Sequence, residues 1–331
     1  MSGAQPTGLR RRPGGARRWR TRAFGLDLDI GFRAPGLPAD GGAVGASDPT
    51  RVDLVYADSI DSAWPSAEAR RVGTMGPPER PVMEVDEHYT AGYRINLPPY
   101  GRYLVSADGR EVGCAPPELD WWYWQRLLIG QVLPAASALR GYELLHASAV
   151  AIGDRVVAFA GEPGLGKSSL ALRLMLRGHA LTAEDVLAIQ VREGTLVAEP
   201  GATMLNIREQ EHALVDELQR AELGETVGNS HGKVHIVAAR DPRALPLGVL
   251  YLLDRGDEQG PTFEPLVQLG VGDLFANSFV TYVHRADRMI RQLDIASTLA
   301  RTVPVVVLRV KPGVGAPELA AQVEEHARSL W

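Results

Sequence analysis

Val156-Val157-Ala158-Phe159-Ala160-Gly161-Glu162-Pro163-Gly164-Leu165-Gly166-Lys167-Ser168-Ser169-Leu170 is the stretch that decides the fold of this 331-residue chain. The apolar run 156–160 has the length of a buried strand, and Leu170, Ala171, Leu174 and Met175 then recur at helical spacing as far as Arg177-Gly178. Between them lies Gly161-x-x-x-x-Gly166-Lys167-Ser168, in the strand–loop–helix context that a phosphate loop requires. The glycines let the backbone curl so that N–H groups converge on phosphate oxygens, and the helix N-terminus adds its positive end. Gly161 through Ser169 are therefore the expected nucleotide contacts. Lys167 is expected at the β- and γ-phosphates, and the Ser168 hydroxyl on Mg²⁺. The same pattern without a ligand would be a glycine-rich turn ahead of a helix.

Composition narrows the class. At 45% hydrophobic and 23% charged residues the chain resembles an ordinary globular protein, and its net charge of −5 gives it no overall field for nucleic acid. The one basic segment is N-terminal: Arg10, Arg11, Arg12, Arg17, Arg18, Arg20 and Arg22 precede the first acidic residue, Asp27, and glycine and proline are interleaved. Residues 1–22 read as a disordered basic arm, not as a signal peptide, because no apolar core follows the arginines. No run approaches the ~18 apolar residues of a membrane span. The single cysteine, Cys114, excludes an internal disulfide and a cysteine-based zinc site. These features point to a cytoplasmic protein without nucleic-acid or membrane partners.

Residues 23–117 read as a β-rich N-terminal domain. Phe24, Leu26, Leu28, Ile30 and Phe32 alternate with polar or small residues, and 52–56, 93–97 and a hairpin over 102–112 are further strand candidates. Residues 62–80 carry Pro65, Gly73, Gly76, Pro77 and Pro78 and offer little beyond loop. From 118 to 140 the period turns helical, with Trp121, Trp122 and Trp124 as core-packing candidates and Pro134 as a kink. Residues 141–331 form the expected phosphate-loop domain. Its first hairpin, 142–152 with 156–160 across Gly153-Asp154, gives the loop strand an antiparallel partner that ordinary parallel nucleotide folds lack. Strands are expected at 186–189, 196–197, 233–237, 246–253 and 303–310. Helices are expected over 207–222, 271–299 and 317–331, and a polar loop at 228–232.

Leu145-His146-Ala-Ser-Ala-Val on that hairpin, the glycine loop, Arg177-Gly178-His179 and Ala183-Glu184-Asp185 occur in this order. The series resembles the catalytic domain of the HPr serine kinase family, whose nucleotide core is shared with the ATP-dependent phosphoenolpyruvate carboxykinases. It resembles more closely the HPr-kinase-related enzymes of peptide-biosynthesis clusters, including those that phosphorylate a C-terminal serine of lasso-peptide precursors. Two departures set it apart: Glu184-Asp185 stands where the family carries two aspartates, and the later Glu-Arg-Gly signature is unmatched, which disfavours HPr itself as acceptor. The resemblance implies an α/β fold with a mixed sheet of the HPr kinase and carboxykinase type. It also implies ATP and Mg²⁺ as cofactors and a peptide or small-protein substrate, with a homo-oligomer left open.

Within that family setting Asp185, Glu184, His146 and Lys167 are the catalytic candidates. Phosphoryl transfer needs positive charge at the phosphates and a carboxylate facing the acceptor hydroxyl. Ser168 and Asp185 are the expected metal contacts, while the division of base and metal duties between Glu184 and Asp185 stays open. His146 near the phosphates is what the resemblance implies; beside apolar residues alone it reads as a core histidine. Lys233 is a candidate second phosphate contact. Two other readings remain: a kinase of a small-metabolite hydroxyl, and a non-catalytic ATP-binding regulatory module. No Asn-Lys-x-Asp guanine motif supports a GTPase.

Overall fold

Alternation at Leu26, Leu28 and Ile30, all buried, builds the first sheet around β2 (Leu26–Ile30). The structure, a computed structural model, describes residues 9–12, 18–38, 48–77, 79–256, 260–266, 272, 276–311 and 316–331. The chain divides into two compact units, Met1–Tyr142 with Val280–Arg288, and Glu143–Phe279 with Met289–Trp331.

In the first unit β1 (Trp19–Ala23) pairs with β2 through a two-residue turn, Phe24-Gly25, with φ of 55° and 75°. The disordered arm expected over residues 1–22 is therefore contradicted at residues 19–22, which lie in β1, and at Arg10 and Arg12, whose backbones hydrogen-bond to Tyr56 and Leu54; residues 1–8 and 13–17 lie outside the described residues. Arg20 and Arg22 stand opposite Asp29 and Asp27, and Arg18 donates to Asp29 and Asp53, so these three arginines of the expected arm are partnered by acidic residues of the sheet. The remaining strands are β3 (Thr50–Leu54), β4 (Arg70–Met75), β5 (Met83–His88), β6 (Gly92–Leu97), β7 (Gly101–Val105) and β8 (Glu111–Ala115). Their order is β1-β2-β3-β8-β7-β6-β5-β4. β4 falls where only loop was expected. Its register with β5 is held by Arg70–Glu87 and Arg71–Asp86 ion pairs, a charge pattern with no apolar alternation to betray it. Helix α1 (Ala57–Ala63) follows β3. Helices α2 (Trp121–Leu127) and α3 (Leu133–Leu139) are joined by a π-helical turn at Leu128–Val132, directly ahead of Pro134. They pack with this unit: Gln125 donates to Arg33 O, Ser137 to Phe24 O, and Trp124 meets Phe32. Trp121 is instead over a third exposed.

The second unit carries β9 (Glu143–Leu145), β10 (Ala147–Ile152), β11 (Arg155–Ala160), α4 (Lys167–Met175), β12 (Ala180–Ala183), β13 (Leu187–Arg192) and β14 (Thr195–Glu199). It continues through β15 (Met204–Arg208), α5 (Glu209–Ala213), α6 (Glu217–Leu223), β16 (Gly224–Ser230), β17 (Lys233–Ala238) and β18 (Leu245–Arg255). It ends with β19 (Thr262–Pro265), α7 (Ala286–Thr302), β20 (Val305–Val310) and α8 (Ala316–Ser329). The expected hairpin is present: β10 and β11 are antiparallel across Gly153-Asp154, and β11 runs parallel to β18, which runs parallel to β20. The sheet is mixed, and helices cover both faces. Val157 and Phe159 point to α4 and α8, and Val156 and Ala158 to Ile295 and Leu299 of α7.

Three expectations change here. The helix read over 207–222 is the end of β15 followed by two short helices. The loop read at 228–232 is mostly strand, closed by His231-Gly232 with φ of 52° and 70°. Of the helix read over 271–299, residues 277–285 are non-helical and α7 starts at Ala286, while 271 and 273–275 lie outside the described residues. At 207–208 and 228–230 strand pairing with β17 overrides the local sequence signal, an apolar helical period in the first and a polar loop composition in the second. Among the described residues no helix is long and apolar enough to cross a membrane.

Candidate functional site

The loop after β11 is shaped by its glycines. Gly161, Gly164 and Gly166 have φ of 132°, 90° and 101°, values that side-chain-bearing residues rarely take. At Gly161 an added Cβ would also lie 2.8 Å from Leu253 O. α4 begins at Lys167, so its first-turn N–H groups, which have no intrahelical partners, face the loop. Lys167 is buried, and its Nζ donates to Gly161 O at 2.7 Å and Glu162 O at 3.2 Å. Burial pulls the Lys167 pKa down, although Asp185 and Glu184 oppose it.

The acidic pair sits between β12 and β13. Val186 N–H donates back to Glu184 O at 2.8 Å, closing a tight turn with Asp185 at its apex at φ 67°. This turn splits the pair. Glu184 points inward, where Ser168 Oγ donates to Oε1 at 3.0 Å and Asn206 Nδ2 to Oε2 at 2.7 Å. Asp185 points to His146, whose Nε2 lies 3.0 Å from Oδ1. Because an ionised carboxylate only accepts, that nitrogen carries the proton. Burial, reinforced by the Asp185 charge, pushes the Glu184 carboxyl up to about 8. Burial acts in the same direction on Asp185, but His146, Lys233 and Lys167 outweigh it and hold that carboxyl below its ordinary value.

His146 occupies the break between β9 and β10, where the chain leaves its pairing with β13 and joins β11. Leu145 stands opposite Leu187, which places the next residue, His146, against the Glu184–Val186 turn. Its N–H donates to Asn277 O at 2.7 Å, and Asn277 Oδ1 accepts from Gly161 N at 2.9 Å. Asn277 thus ties the histidine to the first loop glycine.

A cavity of about 400 Å³ opens over the loop. Pro163 through Ser169, His146, Asp185 and Lys233 line it, together with Asn206, Arg208 and Glu211. Gly161 and Glu162 are not among the residues that line it, but their carbonyls hold Lys167, and Glu184, also outside the lining, accepts from Ser168. The structure therefore brings together His146, Lys167, Ser168, Asp185 and Lys233. It pairs Ser168 with Glu184 and not directly with Asp185. Asn206, Arg208, Glu211 and Asn277 went unread in the sequence. Glu211, at the start of α5, accepts from Ser169 Oγ. Asn206 and Arg208 alternate with the buried Leu205 and Ile207, so a period-two reading of 204–208 would have found them.

The donors are hard oxygens: a hydroxyl and two carboxylates. Among the described residues no three His, Cys, Asp or Glu groups converge into a metal cage. That set suits Mg²⁺, which keeps several waters and takes one or two carboxylates with substrate phosphates.

No protein-family model matches the chain. The HPr kinase/phosphorylase of Streptococcus thermophilus, in three strains, is 39% identical over 66 residues, 20% of this chain and 21% of the relative. The chain thus matches about a fifth of the length of these curated relatives. The solved Hpr(Ser) kinase/phosphatase from Coxiella burnetii is 16% identical, with 56% of this chain and 97% of that chain covered, at a TM-score of 0.32, too loose an overlap to fix the fold. What the sequences share is weak homology to HPr kinase/phosphorylase over one segment of a mixed α/β protein.

Proposed function

We propose that this chain is an ATP- and Mg²⁺-dependent phosphotransferase that moves the γ-phosphoryl group to a serine hydroxyl of a peptide or small protein. The observation that carries the reading is the division of the acidic pair, with Glu184 on Ser168 behind the glycine loop and Asp185 on His146 at the cavity. Weak homology to HPr kinase/phosphorylase supports it.

The loop N–H groups and the α4 N-terminus would take the phosphate oxygens, with Lys167 adding a fixed positive charge. Ser168 and the acidic pair would hold the Mg²⁺, which when bound neutralises charge on the phosphates. Asp185, kept ionised by His146, would receive the proton of the acceptor hydroxyl. The acceptor oxygen then bonds to the γ-phosphorus as the bond to the β-phosphate bridge breaks, and ADP leaves. Lys233, with Arg208 opposite it across β15 and β17, adds positive charge on the far wall of the cavity.

The test is transfer of ³²P from γ-labelled ATP to peptides ending in serine, in the wild type and in Lys167→Ala and Asp185→Asn. Each substitution is expected to lower the rate by on the order of 10² or more, because each removes charge placed for the transition state. Labelling that survives both would refute the assignment.

A further inference from the structure

The geometry points to His235 as a positioning residue that acts through Asn206 to orient Glu184 behind Ser168; this rests on the phosphoryl-transfer reading of the site. His235 is 1% exposed, on the central strand of the three-stranded sheet β15-β17-β16. Its neighbours Val234 and Ile236 turn the opposite way, into an apolar cluster with Leu205 and Ile207. Strand register places His235 opposite Asn206. A buried polar ladder results. Ser230 Oγ lies 2.8 Å from His235 Nε2, His235 Nδ1 lies 2.7 Å from Asn206 Oδ1, and Asn206 Nδ2 donates to Glu184 Oε2 at 2.7 Å.

The direction of each proton follows from chemistry. Asn206 spends its amide on Glu184, so its Oδ1 faces the ring and can only accept. His235 Nδ1 must carry the hydrogen, and a neutral ring accepts at Nε2 from Ser230. Each Glu184 oxygen then has one donor, Ser168 on one side and Asn206 on the other. Without the Asn206 donor the carboxylate is free to turn about its last torsion, and Ser168 loses the fixed acceptor that aims its hydroxyl. His235 itself is not among the residues that line the cavity. Groups that orient ligands from behind typically cost 10–100-fold in metal affinity when removed.

The experiment is calorimetric binding of β,γ-imido-ATP, with EDTA and with excess Mg²⁺, to the wild type, Asn206→Leu, His235→Leu and His235→Asn. Asparagine at 235 can place its amide nitrogen near the Nδ1 position. His235→Leu is expected to keep the EDTA affinity within about threefold and to lose 10–100-fold of the Mg²⁺-dependent gain; Asn206→Leu, whose side chain also lines the cavity, is expected to lose the same Mg²⁺-dependent gain. His235→Asn should recover most of it. Equal losses with and without Mg²⁺, no loss at all, or His235→Asn behaving like His235→Leu would each overturn the relay. If Asn206→Leu does not fold, the two His235 variants decide. A wild type that binds no nucleotide sinks the site reading itself, and that result is read before any variant is compared.

Discussion

Asp185 shows what one backbone angle does for this site. A strand would send residues 184 and 185 to opposite faces of a sheet; here the φ 67° apex sends one carboxylate to Ser168 and the other to His146. Aspartate and asparagine both tolerate this left-handed conformation, so Asp185→Asn changes charge with little backbone strain. Its thermal midpoint is expected to stay within a few degrees of wild type while phosphoryl transfer falls by on the order of 10². Glu184 makes a different prediction. Its folded pKa of about 8 lies above the ordinary 4.5, so the folded protein holds an extra proton between those values. Any stability linked to that proton is present below 4.5 and is lost as pH rises toward 8. The stability of Glu184→Gln relative to wild type should therefore rise from pH 4.5 to pH 8, as read by thermal melts across that range. A difference that is flat with pH would show that the carboxyl is not perturbed by burial.

At the scale of elements, α4 is anchored at the end away from the loop. α4 is fastened at its C-terminal side to α8: Arg177 Nε donates to Glu324 Oε2 at 2.8 Å, Arg328 NH2 donates to Oε1 at 3.1 Å, and His179 Nε2 lies 3.1 Å from Oε1. Burial works against the Glu324 carboxylate, but these three partners hold its pKa down to about 2. A depressed carboxylate contributes stability that is full above the ordinary 4.5 and disappears as pH falls through the folded value. Glu324→Gln should lower stability at pH 7 by on the order of 1 kcal/mol, since two of the partners are largely exposed. The gap to wild type should close as pH drops from 4.5 to about 2, which denaturant titrations at several pH values would show.

For the whole molecule, connectivity matters more than any one contact. The chain returns to the first unit at residues 280–288 after building most of the second. Tyr282 is buried in that return, 6.3 Å ring to ring from Tyr93, and its Cβ would lie 3.1 Å from a Cβ added at Gly73. A fragment of residues 1–142 lacks this segment, so it should melt less cooperatively and at lower temperature than the intact chain. Tyr282→Ala in the full chain should cost about 3 kcal/mol or more, the usual range for deleting a large buried aromatic. Circular dichroism melts of both proteins check this, and a fragment as stable as the intact chain would contradict it.

The glycine loop, its lysine and its serine were legible in the sequence because local geometry dictates them: only a curled backbone between strand and helix needs glycines at those spacings. The β10–β11 hairpin was legible for a similar reason, as two apolar runs across Gly153-Asp154 close within a few residues. The pairing of β4 with β5, the ladder from Ser230 to Glu184 and the Asn277 bridge were not, since each joins residues through partners chosen by strand register or by segments distant in the chain. His146 lies between these cases. Its position beside apolar residues suits a core histidine, and only the break between β9 and β10 turns it toward Asp185. Local chain stiffness and steric limits are written residue by residue, whereas long-range pairing depends on which buried polar groups find partners once the sheets have formed.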